Sequence, residues 1–555
     1  MKLIRGLVIS ALLLIVIAVA WYWWNWPRQV DMAQYAPAES LVYLECNNLP
    51  EVANSITASN VWREFGARLG LRQRQRTDRW LALAASLGLG PAENVILSRA
   101  QVAIVMLSLD AAEQDRTLSI KPEGAIIIET HTSERRIRPT VEAVLKRFAE
   151  RTYGQITPKR YREGADYFEW SPPAGDRRIV AAIDHSLLVV GNSKRAVQSC
   201  LETRRGQRPN LLSDPSLQLM RTKADGPPGL TFGYISAGNA TRLISWGAPV
   251  LFGRGPGDST IEQIITRSAG RVFGAIGWSS RASNGGIEDR FFFSLEPPII
   301  SRLQPVFKVG PSESSLWRVV PHEVESVTIY KSESPVRAWE ALGSVASQLD
   351  ALSAVVVGSV LKAALLPYGI ENPENFLKAV GPEVATVKLR QGTDGSVLFA
   401  RVLDRSALEQ MFKLQATPSS ALDVQHIEVS DREFAVTFVD EYFVIGPPDD
   451  VRIYLEDRKN GRTIADENLQ TLKTFVPDGS STIVTYASDD ERIRNFFLAV
   501  MDLQGGSPPP TSPSANEAKL PYAMTETNLG DQGIERRTRS AFGQFSTLLA
   551  LLRRN

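Results

Sequence analysis

The chain has 555 residues, 43% of them hydrophobic and 22% charged, and its 62 basic and 61 acidic residues leave a net charge of +1. At roughly 150 residues per domain, this length excludes a single compact domain, and the ordinary composition excludes a disordered or fibrous chain. The balanced charge excludes the global basic surface of a dedicated nucleic-acid binder, and four histidines with two cysteines supply few metal ligands. We therefore expect no nucleic-acid partner, no metal and no cofactor.

The first 27 residues are predicted to form a short cytoplasmic tip and a transmembrane anchor. Residues 7–26 carry no charge, and a helix of about 20 apolar residues can cross a bilayer. Lys2 and Arg5 precede this segment, so the positive-inside rule keeps the amino terminus in the cytoplasm and places the bulk of the chain outside. The aromatic run at 21–26 favours an uncleaved anchor, because such rings prefer the headgroup depth. The alternative is a signal peptide that is cleaved after Ala20.

The chain is predicted to contain two copies of one fold. Residues 179–191 and 434–446 each read as strand, tight turn, strand and glycine. A helix follows each hairpin behind a predicted capping residue, Asn192 or Ser193 in the first copy and Asp449 or Asp450 in the second. Further matches follow in the same chain order, and they include 123–127 with 394–398, 231–234 with 483–486, and 286–290 with 533–537.

This alternation of hairpin strands and helices predicts an α+β fold, because the two strands of a hairpin pair antiparallel. We expect two tandem related domains after one transmembrane helix, each a largely antiparallel or mixed sheet with helices packed on one face. The predicted boundaries are a linker at 28–33, a first domain at 34–300, a linker at 301–310, and a second domain at 311–555 with a Pro/Ser-rich insertion at 505–518. Residues 548–552 are too few to span a membrane and are predicted to be the last buried element.

The sequence predicts no catalytic, cofactor-binding or metal-binding residue. His185 is expected to be exposed in a hairpin turn, and Asp184 and Asp440 are expected to bond turn amides at the two hairpin apices. The other histidines, His131, His322 and His426, are far apart and lack zinc-binding spacing. The two cysteines, Cys46 and Cys200, are predicted to be core residues, with a disulfide between them as the alternative.

Two basic clusters and two glycine-rich segments are candidate binding sites. The clusters at 72–79 and 204–208 are predicted to be solvated surface, with contact to anionic lipid or glycan as the alternative. The segment at 253–257 contains proline and lacks a following lysine, and Pro91 interrupts the pattern that begins at Gly88. Both segments are therefore predicted to be turns.

Three motifs of the first copy resemble the domain of unknown function 3352 family of uncharacterised bacterial envelope proteins. They are residues 36–45 soon after the predicted membrane segment, residues 184–191 before a helix, and residues 211–217 leading to 232–235. The second copy keeps the hairpin, while the segment before Gln470 lacks the full Ser-x-x-Pro-x-Leu pattern. The resemblance implies a membrane-anchored extracytoplasmic protein with no assigned activity, and no functional residue can be transferred from it.

Anchor, duplication and resemblance together predict a non-enzymatic scaffold or interaction module of the bacterial cell envelope. It would be held in the inner membrane through residues 7–26, with its amino terminus in the cytoplasm, its bulk in the periplasm, and an envelope protein, lipid or glycan as partner. The alternative is a periplasmic binding protein whose lipid, glycan or peptide lies in the groove between the two repeat domains, since clefts between domains commonly bind ligands. A hydrolase that uses paired carboxylates is a third possibility.

Overall fold

The computed structural model describes most of the chain from residue 29 to residue 552. The residues outside the description within that span are 67–89, 115–116, 155–156, 173–177, 226–228, 252–267, 269, 308, 311–313, 350–357, 359–361, 391, 394, 415–423, 462–465, 477–478 and 505–520. The predicted anchor at 7–26, the basic cluster at 72–79, the glycine-rich segment at 253–257 and the insertion at 505–518 lie outside the described residues. Among the residues that are described, no helix combines the length and apolar character that a membrane span needs.

The described chain is an α+β protein built on one sheet of 19 strands. The first half of the molecule contains β1 (Val42–Cys46), β2 (Gln101–Gln114), β3 (Thr117–Glu129), β4 (Lys159–Arg162), β5 (Asp166–Trp170), β6 (Ile179–Asp184), β7 (Leu187–Gly191), β8 (Thr231–Ile235), β9 (Phe273–Ser283) and β10 (Gly286–Leu295). The second half contains β11 (Val324–Lys331), β12 (Val380–Leu389), β13 (Val397–Val402), β14 (Gln425–Val429), β15 (Arg432–Val439), β16 (Tyr442–Gly446), β17 (Ile483–Ser488), β18 (Tyr522–Leu529) and β19 (Gly533–Ser540).

Every strand pair in this sheet is antiparallel, and the strand order is nearly the same when it is counted from either end. The order is β4-β5-β6-β7-β3-β2-β1-β8-β9-β10-β19-β18-β17-β11-β12-β13-β16-β15-β14. Only β4 lacks a counterpart among the described strands. The centre of this order is the β10–β19 pair, in which Arg290 lies opposite Arg537. The two halves therefore meet through matching strands.

The helices of the two halves also follow one another in a similar order. The first half contains α1 (Leu49–Ala58), α2 (Asn60–Phe65), α3 (Pro91–Leu97), α4 (Glu134–Tyr153), α5 (Lys194–Arg204), α6 (Pro215–Lys223), α7 (Ala237–Leu251) and α8 (Pro297–Phe307). The second half contains α9 (Pro335–Leu349), α10 (Pro373–Ala379), α11 (Arg405–Met411), α12 (Pro448–Lys459), α13 (Asp466–Phe475), α14 (Asp490–Gln504) and α15 (Phe545–Leu552).

Helices cover both faces of the sheet, so the expectation of helices on one face is wrong. In β6 all six residues are buried, and alternate side chains enter different cores. Val180 and Ala182 pack in the core beneath α5 and α6. Ala181 and Ile183 point the other way and pack in the core beneath α4. The first five residues of β6 are apolar, and an apolar run of this kind needs cover on both sides, which is the physical reason for the three layers.

The two halves share a hydrophobic core in addition to the sheet. Trp62 of the first half stacks on Phe497 of the second half with ring centroids 5.7 Å apart. Phe496 and Phe542 stack at 3.9 Å in the same cluster. The last helix, α15, belongs to this cluster through the buried Phe545, and the partly buried Leu548 and Leu549 pack against the same cluster. The halves are therefore joined by aromatic packing as well as by strand pairing.

Both predicted linkers contain ordered structure. The linker expected at 301–310 is helical as far as Phe307, because α8 begins at Pro297, where a proline fits the first helical turn. In the linker expected at 28–33, Met32 and Ala33 are fully buried in the core of the first half. The backbone of Val30 is held by Gln101, whose side chain accepts from Val30 N at 2.8 Å and donates to Val30 O at 2.9 Å.

The two hairpin-capping predictions have different outcomes. Ser193 caps α5 as predicted, since its side chain accepts a hydrogen bond from Ala196 N. The prediction of an aspartate cap in the second half is wrong, because Pro447 occupies the cap position of α12 without a side-chain hydrogen bond. The carboxylate of Asp450 instead accepts two hydrogen bonds from Thr393, one from its backbone N at 2.7 Å and one from its hydroxyl at 2.8 Å.

Candidate functional site

A cavity of about 500 Å³ lies where the two halves meet, near one end of the central strands. The first half lines it with the start of α2 and with the turn between β9 and β10. The second half lines it with residues of β17, β18 and β19, with a residue of α13, and with the loop before β11. The volume falls in the range of small-molecule sites, roughly 300–1,000 Å³.

The first-half wall is fixed by the hairpin turn Asn284-Gly285. Gly285 has φ +78°, a left-handed conformation that favours glycine in a two-residue turn. A Cβ at this position would lie 2.6 Å from Nδ2 of Asn60, so the turn and the start of α2 are in close contact. Asn60 N also donates to Gly285 O at 3.1 Å. The hairpin turn and the start of α2 therefore form one closely packed wall.

The second-half wall contains two stacked tyrosines, Tyr486 and Tyr522, with ring centroids 4.1 Å apart. Tyr522 donates its hydroxyl to the backbone oxygen of Val324 at 3.0 Å. Tyr486 is only 3% exposed, and its hydroxyl has no hydrogen-bond partner in the described part of the chain. Burial raises the pKa of Tyr486 well above its usual value, so the hydroxyl stays protonated and can donate. A buried hydroxyl without a partner costs about 1–3 kcal/mol.

The two arginines in the cavity wall are held differently. Arg390 is engaged by the protein, with Nη1 lying 3.2 Å from Asp490 Oδ2. Arg539 has a weaker carboxylate contact, since its Nη2 lies 4.0 Å from Glu288 Oε2. Within the described residues, Nε of Arg539 is buried and has no hydrogen-bond partner.

Glu288 cannot fully neutralise the charge of Arg539, because it already forms ion pairs with two other arginines. Arg281 Nη2 lies 2.6 Å and Arg290 Nε lies 3.1 Å from Glu288 Oε1. Burial opposes the charge of Glu288, but the hydrogen bonds and charges of Arg290 and Arg281 outweigh it and hold the pKa of that carboxyl below its usual value. Arg539 therefore keeps donor capacity at the cavity wall.

The cavity wall combines hydrogen-bond donors with an aromatic stack. The wall offers a phenol hydroxyl and a guanidinium N–H that lack partners among the described residues, next to an aromatic stack. In the described part of the chain there is no group of three His, Cys, Asp or Glu side chains that could hold a metal ion. Polar donors beside an apolar surface are the usual composition of a small-molecule site.

Of the candidate histidines, the structure brings one to the cavity, where His322 is a lining residue. His185 lies in the turn of the first hairpin with its side chain 84% exposed, as expected. His131 Nε2 lies 3.0 Å from Gln101 Oε1 in the first half, and His426 Nδ1 lies 2.8 Å from Glu433 Oε1 in the second. The four side chains are not brought together.

The expectation that Asp184 and Asp440 bond turn amides is wrong. Asp184 is buried and lies against the end of α5, with Arg205 Nη2 3.1 Å and Arg204 Nη1 3.6 Å from its Oδ2. Asp440 is 63% exposed and pairs with Arg458 near the end of α12. In both halves an arginine at the helix end pairs with the hairpin carboxylate. A charged guanidinium binds a carboxylate more strongly than a neutral backbone amide does.

The same contacts neutralise the basic cluster at 204–208. Arg204 and Arg205 pair with Asp184. Arg208 pairs with Glu39 and with Glu202 at 2.8 Å. These arginines serve the fold, which favours the solvated-surface interpretation over an anion-binding patch.

The two cysteines are free, so the disulfide alternative is wrong. Cys200 is fully buried beneath β3 and β7, and burial raises its thiol pKa to about 12. Cys46 packs against the core shared by the two halves, and burial raises its pKa to about 11. Both behave as small core residues.

Sequence reasoning missed the role of Tyr486, Met524 and Arg539. Tyr486 was matched to Tyr234 within a repeated motif, but nothing in the motif marked it as a cavity residue. A usable signal did exist for Arg539. When the match of 286–290 with 533–537 is continued by two residues, Arg539 falls opposite Phe292, so a charge replaces an apolar residue at a matched strand position.

Comparisons with known proteins give little further guidance. No family model matches the chain, and no curated protein matches it, so the resemblance to the domain of unknown function 3352 family stays a prediction. A solved structure that the chain matches is crystal form I of TP0453, with 13% sequence identity over 50% of this chain and 86% of that chain and a TM-score of 0.24. A likeness at that TM-score carries no argument about function.

Proposed function

We propose that the chain is a membrane-anchored extracytoplasmic binding protein of the bacterial envelope whose ligand occupies the cavity between two tandem repeat domains. The observation that carries the proposal is the buried hydroxyl of Tyr486, which lines this cavity and lacks a partner among the described residues. A ligand that accepts its hydrogen bond would remove the cost of burying it. The scaffold role predicted from the sequence does not account for this hydroxyl.

The tandem-domain part of the proposal is supported by the strand order. Nine strands of each half follow the same sequence of neighbours, from β5 in the first half and from β14 in the second to the central β10–β19 pair. In that pair the matched residues Arg290 and Arg537 lie opposite each other, as a local two-fold axis requires. We propose that the halves arose as copies and that the cavity is a product of their junction.

The anchor part of the proposal is supported by the segment that follows residues 7–26. Asp31 receives two hydrogen bonds from Arg221, at 2.7 Å and 2.8 Å, and Val30 is held by Gln101. The folded part thus begins a few residues after the predicted span. A span ending at Trp26 would hold the folded part close to the bilayer.

Thiol protection tests the ligand site. Thr471 of α13 lines the cavity, whereas Thr474 is exposed on the same helix and is not part of the lining. The full chain in a non-ionic detergent would carry Thr471→Cys or Thr474→Cys and react with an aromatic disulfide reagent at pH 8. The raised thiol pKa values of Cys46 and Cys200 keep their background reaction slow.

We expect at least one compound in a panel of lipids, glycans, peptides and small organic acids to slow the reaction of the Thr471→Cys variant and not that of the Thr474→Cys variant. The same compound at 100 times its Kd should stabilise the protein by about 2.7 kcal/mol. Equal reaction rates of both variants with every compound would contradict a ligand site in this cavity.

A further inference from the structure

Three residues that border the cavity form a row across neighbouring strands. Tyr486 on β17 lies opposite Met524 on β18, and Met524 lies opposite Arg539 on β19. Directly opposite residues project from the same face of a sheet, and adjacent strands are about 5 Å apart. All three residues line the cavity, with Met524 between Tyr486 and Arg539, and Cζ of Arg539 also lies 5.5 Å from the ring centroid of Phe475.

The matched row of the first half consists of Tyr234, Gly277 and Phe292 on β8, β9 and β10. Tyr234 donates its hydroxyl to Asp214 Oδ2 at 2.6 Å. Phe292 is fully buried in the core. Gly277 leaves room for Met220, which would lie 2.8 Å from a Cβ at that position. This row is packed and satisfied by the protein itself.

The second row differs in what it lacks. Among the described residues, Tyr486 has no carboxylate acceptor like the one that Asp214 gives Tyr234. Arg539 stands where Phe292 stands in the first row, and its Nε has no acceptor either. A guanidinium only donates. Both groups thus need oxygen acceptors, and the charge of Arg539 favours acceptors that carry negative charge.

The remaining lining residues indicate which group the ligand carries besides an oxyanion. Tyr522 and Tyr486 stack as a flat apolar surface, and Val61 and Met524 also line the cavity. Flat unsaturated groups pack well against such rings. The wall therefore combines donors for an oxyanion with a surface for a flat apolar group.

We propose that the cavity binds a ligand in which an oxyanion, a phosphate or a carboxylate, is joined to a flat apolar group, with the oxyanion accepting from Tyr486 Oη and Arg539 Nε. This inference rests on the proposed function and names the ligand class of the same site. The oxyanion would accept the hydrogen bond of Tyr486 as Asp214 accepts that of Tyr234.

Calorimetric titration of the full chain in a non-ionic detergent tests the ligand class. The probes are phenyl phosphate and benzoate, with benzyl alcohol as the uncharged analogue. We expect at least one of the two anions to bind more tightly than benzyl alcohol. Arg539→Gln should weaken anion binding roughly 10- to 100-fold and leave benzyl alcohol unchanged. Tyr486→Phe should weaken anion binding about 3- to 10-fold.

The matched control is Arg162→Gln, which removes one positive charge from an exposed side chain outside the cavity. It should leave all three affinities unchanged. A further titration with dihexanoyl phosphatidylglycerol, below its micelle concentration, distinguishes a lipid ligand from a soluble one. Competition with phenyl phosphate would assign the oxyanion to a lipid head group, and a lack of competition would assign it to a soluble molecule.

Two outcomes would overturn the inference. One is anion binding no tighter than that of benzyl alcohol, and the other is anion binding that Arg539→Gln and Tyr486→Phe leave unchanged. Either result leaves the proposed function standing if another compound still protects the thiol introduced by Thr471→Cys. The proposed function itself fails when no compound in the panel slows the reaction of the Thr471→Cys variant more than that of the Thr474→Cys variant.

Discussion

The row Tyr234, Gly277, Phe292 and the row Tyr486, Met524, Arg539 occupy matched strands of the two halves, yet the first is packed and the second borders a cavity. Phe292 has 0% exposure, whereas the Arg539 side chain is 23% exposed. The same backbone framework thus carries core packing in one half and donor groups in the other.

The difference shows that two halves with nearly the same strand order can differ in packing at matched positions. In the first half, Asp214 at the start of α6 satisfies Tyr234, and Met220 of the same helix fills the space beside Gly277. In the second half, Met524 occupies the position of Gly277, and Arg539 replaces an apolar ring. The two rows thus differ at two of their three positions and in the acceptor of the tyrosine hydroxyl.

The largest expected difference in stability is between variants of the matched residues Phe292 and Arg539. Phe292→Ala should lower the free energy of unfolding by about 3–5 kcal/mol, because it removes a fully buried ring and leaves a cavity in the core. Arg539→Ala should lower it by less than about 1 kcal/mol, because that side chain already borders a cavity and its carboxylate partner is 4.0 Å away. Urea unfolding of both variants measures the difference. Equal losses would contradict the contrast between the rows.

The second prediction concerns Asp289 on the central strand β10, whose matched position in the second half is Arg536. Burial raises the pKa of Asp289 to about 6 from 3.8, although Ser280 donates a hydrogen bond to its carboxyl. The folded protein therefore binds the proton more tightly than the unfolded chain does, and stability should fall as the pH rises from about 4 through about 6. With about 1.4 kcal/mol per pKa unit, the loss is on the order of 2–3 kcal/mol.

Asp289→Asn should remove this loss, so the variant should be more stable than the wild type at pH 7 and similar to it near pH 4. Burial also raises the pKa of Asp489 and of Glu45. Some fall of stability with pH should therefore persist in the variant, and the difference between the two pH profiles is the quantity to measure. Parallel profiles for wild type and variant would contradict a protonated Asp289 in the folded state.

The hairpin carboxylates provide a third contrast. Burial disfavours the charge of Asp184, but the hydrogen bond with His185 and the charges of Arg204 and Arg205 lower its pKa. Asp184→Asn should cost about 1–3 kcal/mol at pH 7, since it weakens charged hydrogen bonds at a buried position. Asp440→Asn should cost less than about 0.5 kcal/mol, because that side chain is 63% exposed. Thermal unfolding at pH 7 compares them, and a larger loss for Asp440→Asn would reverse the expected order.

A fourth comparison concerns Tyr234, whose hydroxyl has a partner, whereas that of Tyr486 has none among the described residues. Tyr234→Phe should lower stability by about 1–2 kcal/mol, because Asp214 Oδ2 loses the hydroxyl that donates to it at 2.6 Å. Asp214 would keep its bond from Ser216 N at 2.9 Å, which limits the loss. Urea unfolding measures the change, and a neutral substitution would show that this hydrogen bond does not distinguish the rows.

Local patterns predicted much of the fold. The hairpins β6–β7 and β15–β16 and the Ser193 cap follow from alternation, turn residues and a short polar side chain before a helix. The helices on both faces could also have been expected, since residues 179–183 form an unbroken apolar run of the kind that is buried on both sides. The pairing of β10 with β19 joins segments far apart in sequence, and local patterns do not encode it.

The cavity was harder to predict than the fold. The exchange of Phe292 for Arg539 is visible in the repeat, but a charge on a strand usually indicates a solvated face. Whether a tyrosine hydroxyl is satisfied depends on a contact such as that between Asp214 and Tyr234, which are 20 residues apart and lie on different elements. Such a contact is fixed by tertiary packing and leaves no periodic signal.

The central claim is that the hydroxyl of Tyr486 serves a ligand and not the fold. The most direct test is the free energy of unfolding of the full chain and of its Tyr486→Phe variant, each with and without saturating phenyl phosphate. Without the probe, the variant should be as stable as the wild type or up to about 1 kcal/mol more stable, because it removes a buried hydroxyl that has no partner in the described part of the chain. With the probe, the wild type should gain more stability than the variant. A variant that is less stable without the probe and gains as much from it as the wild type would contradict the account.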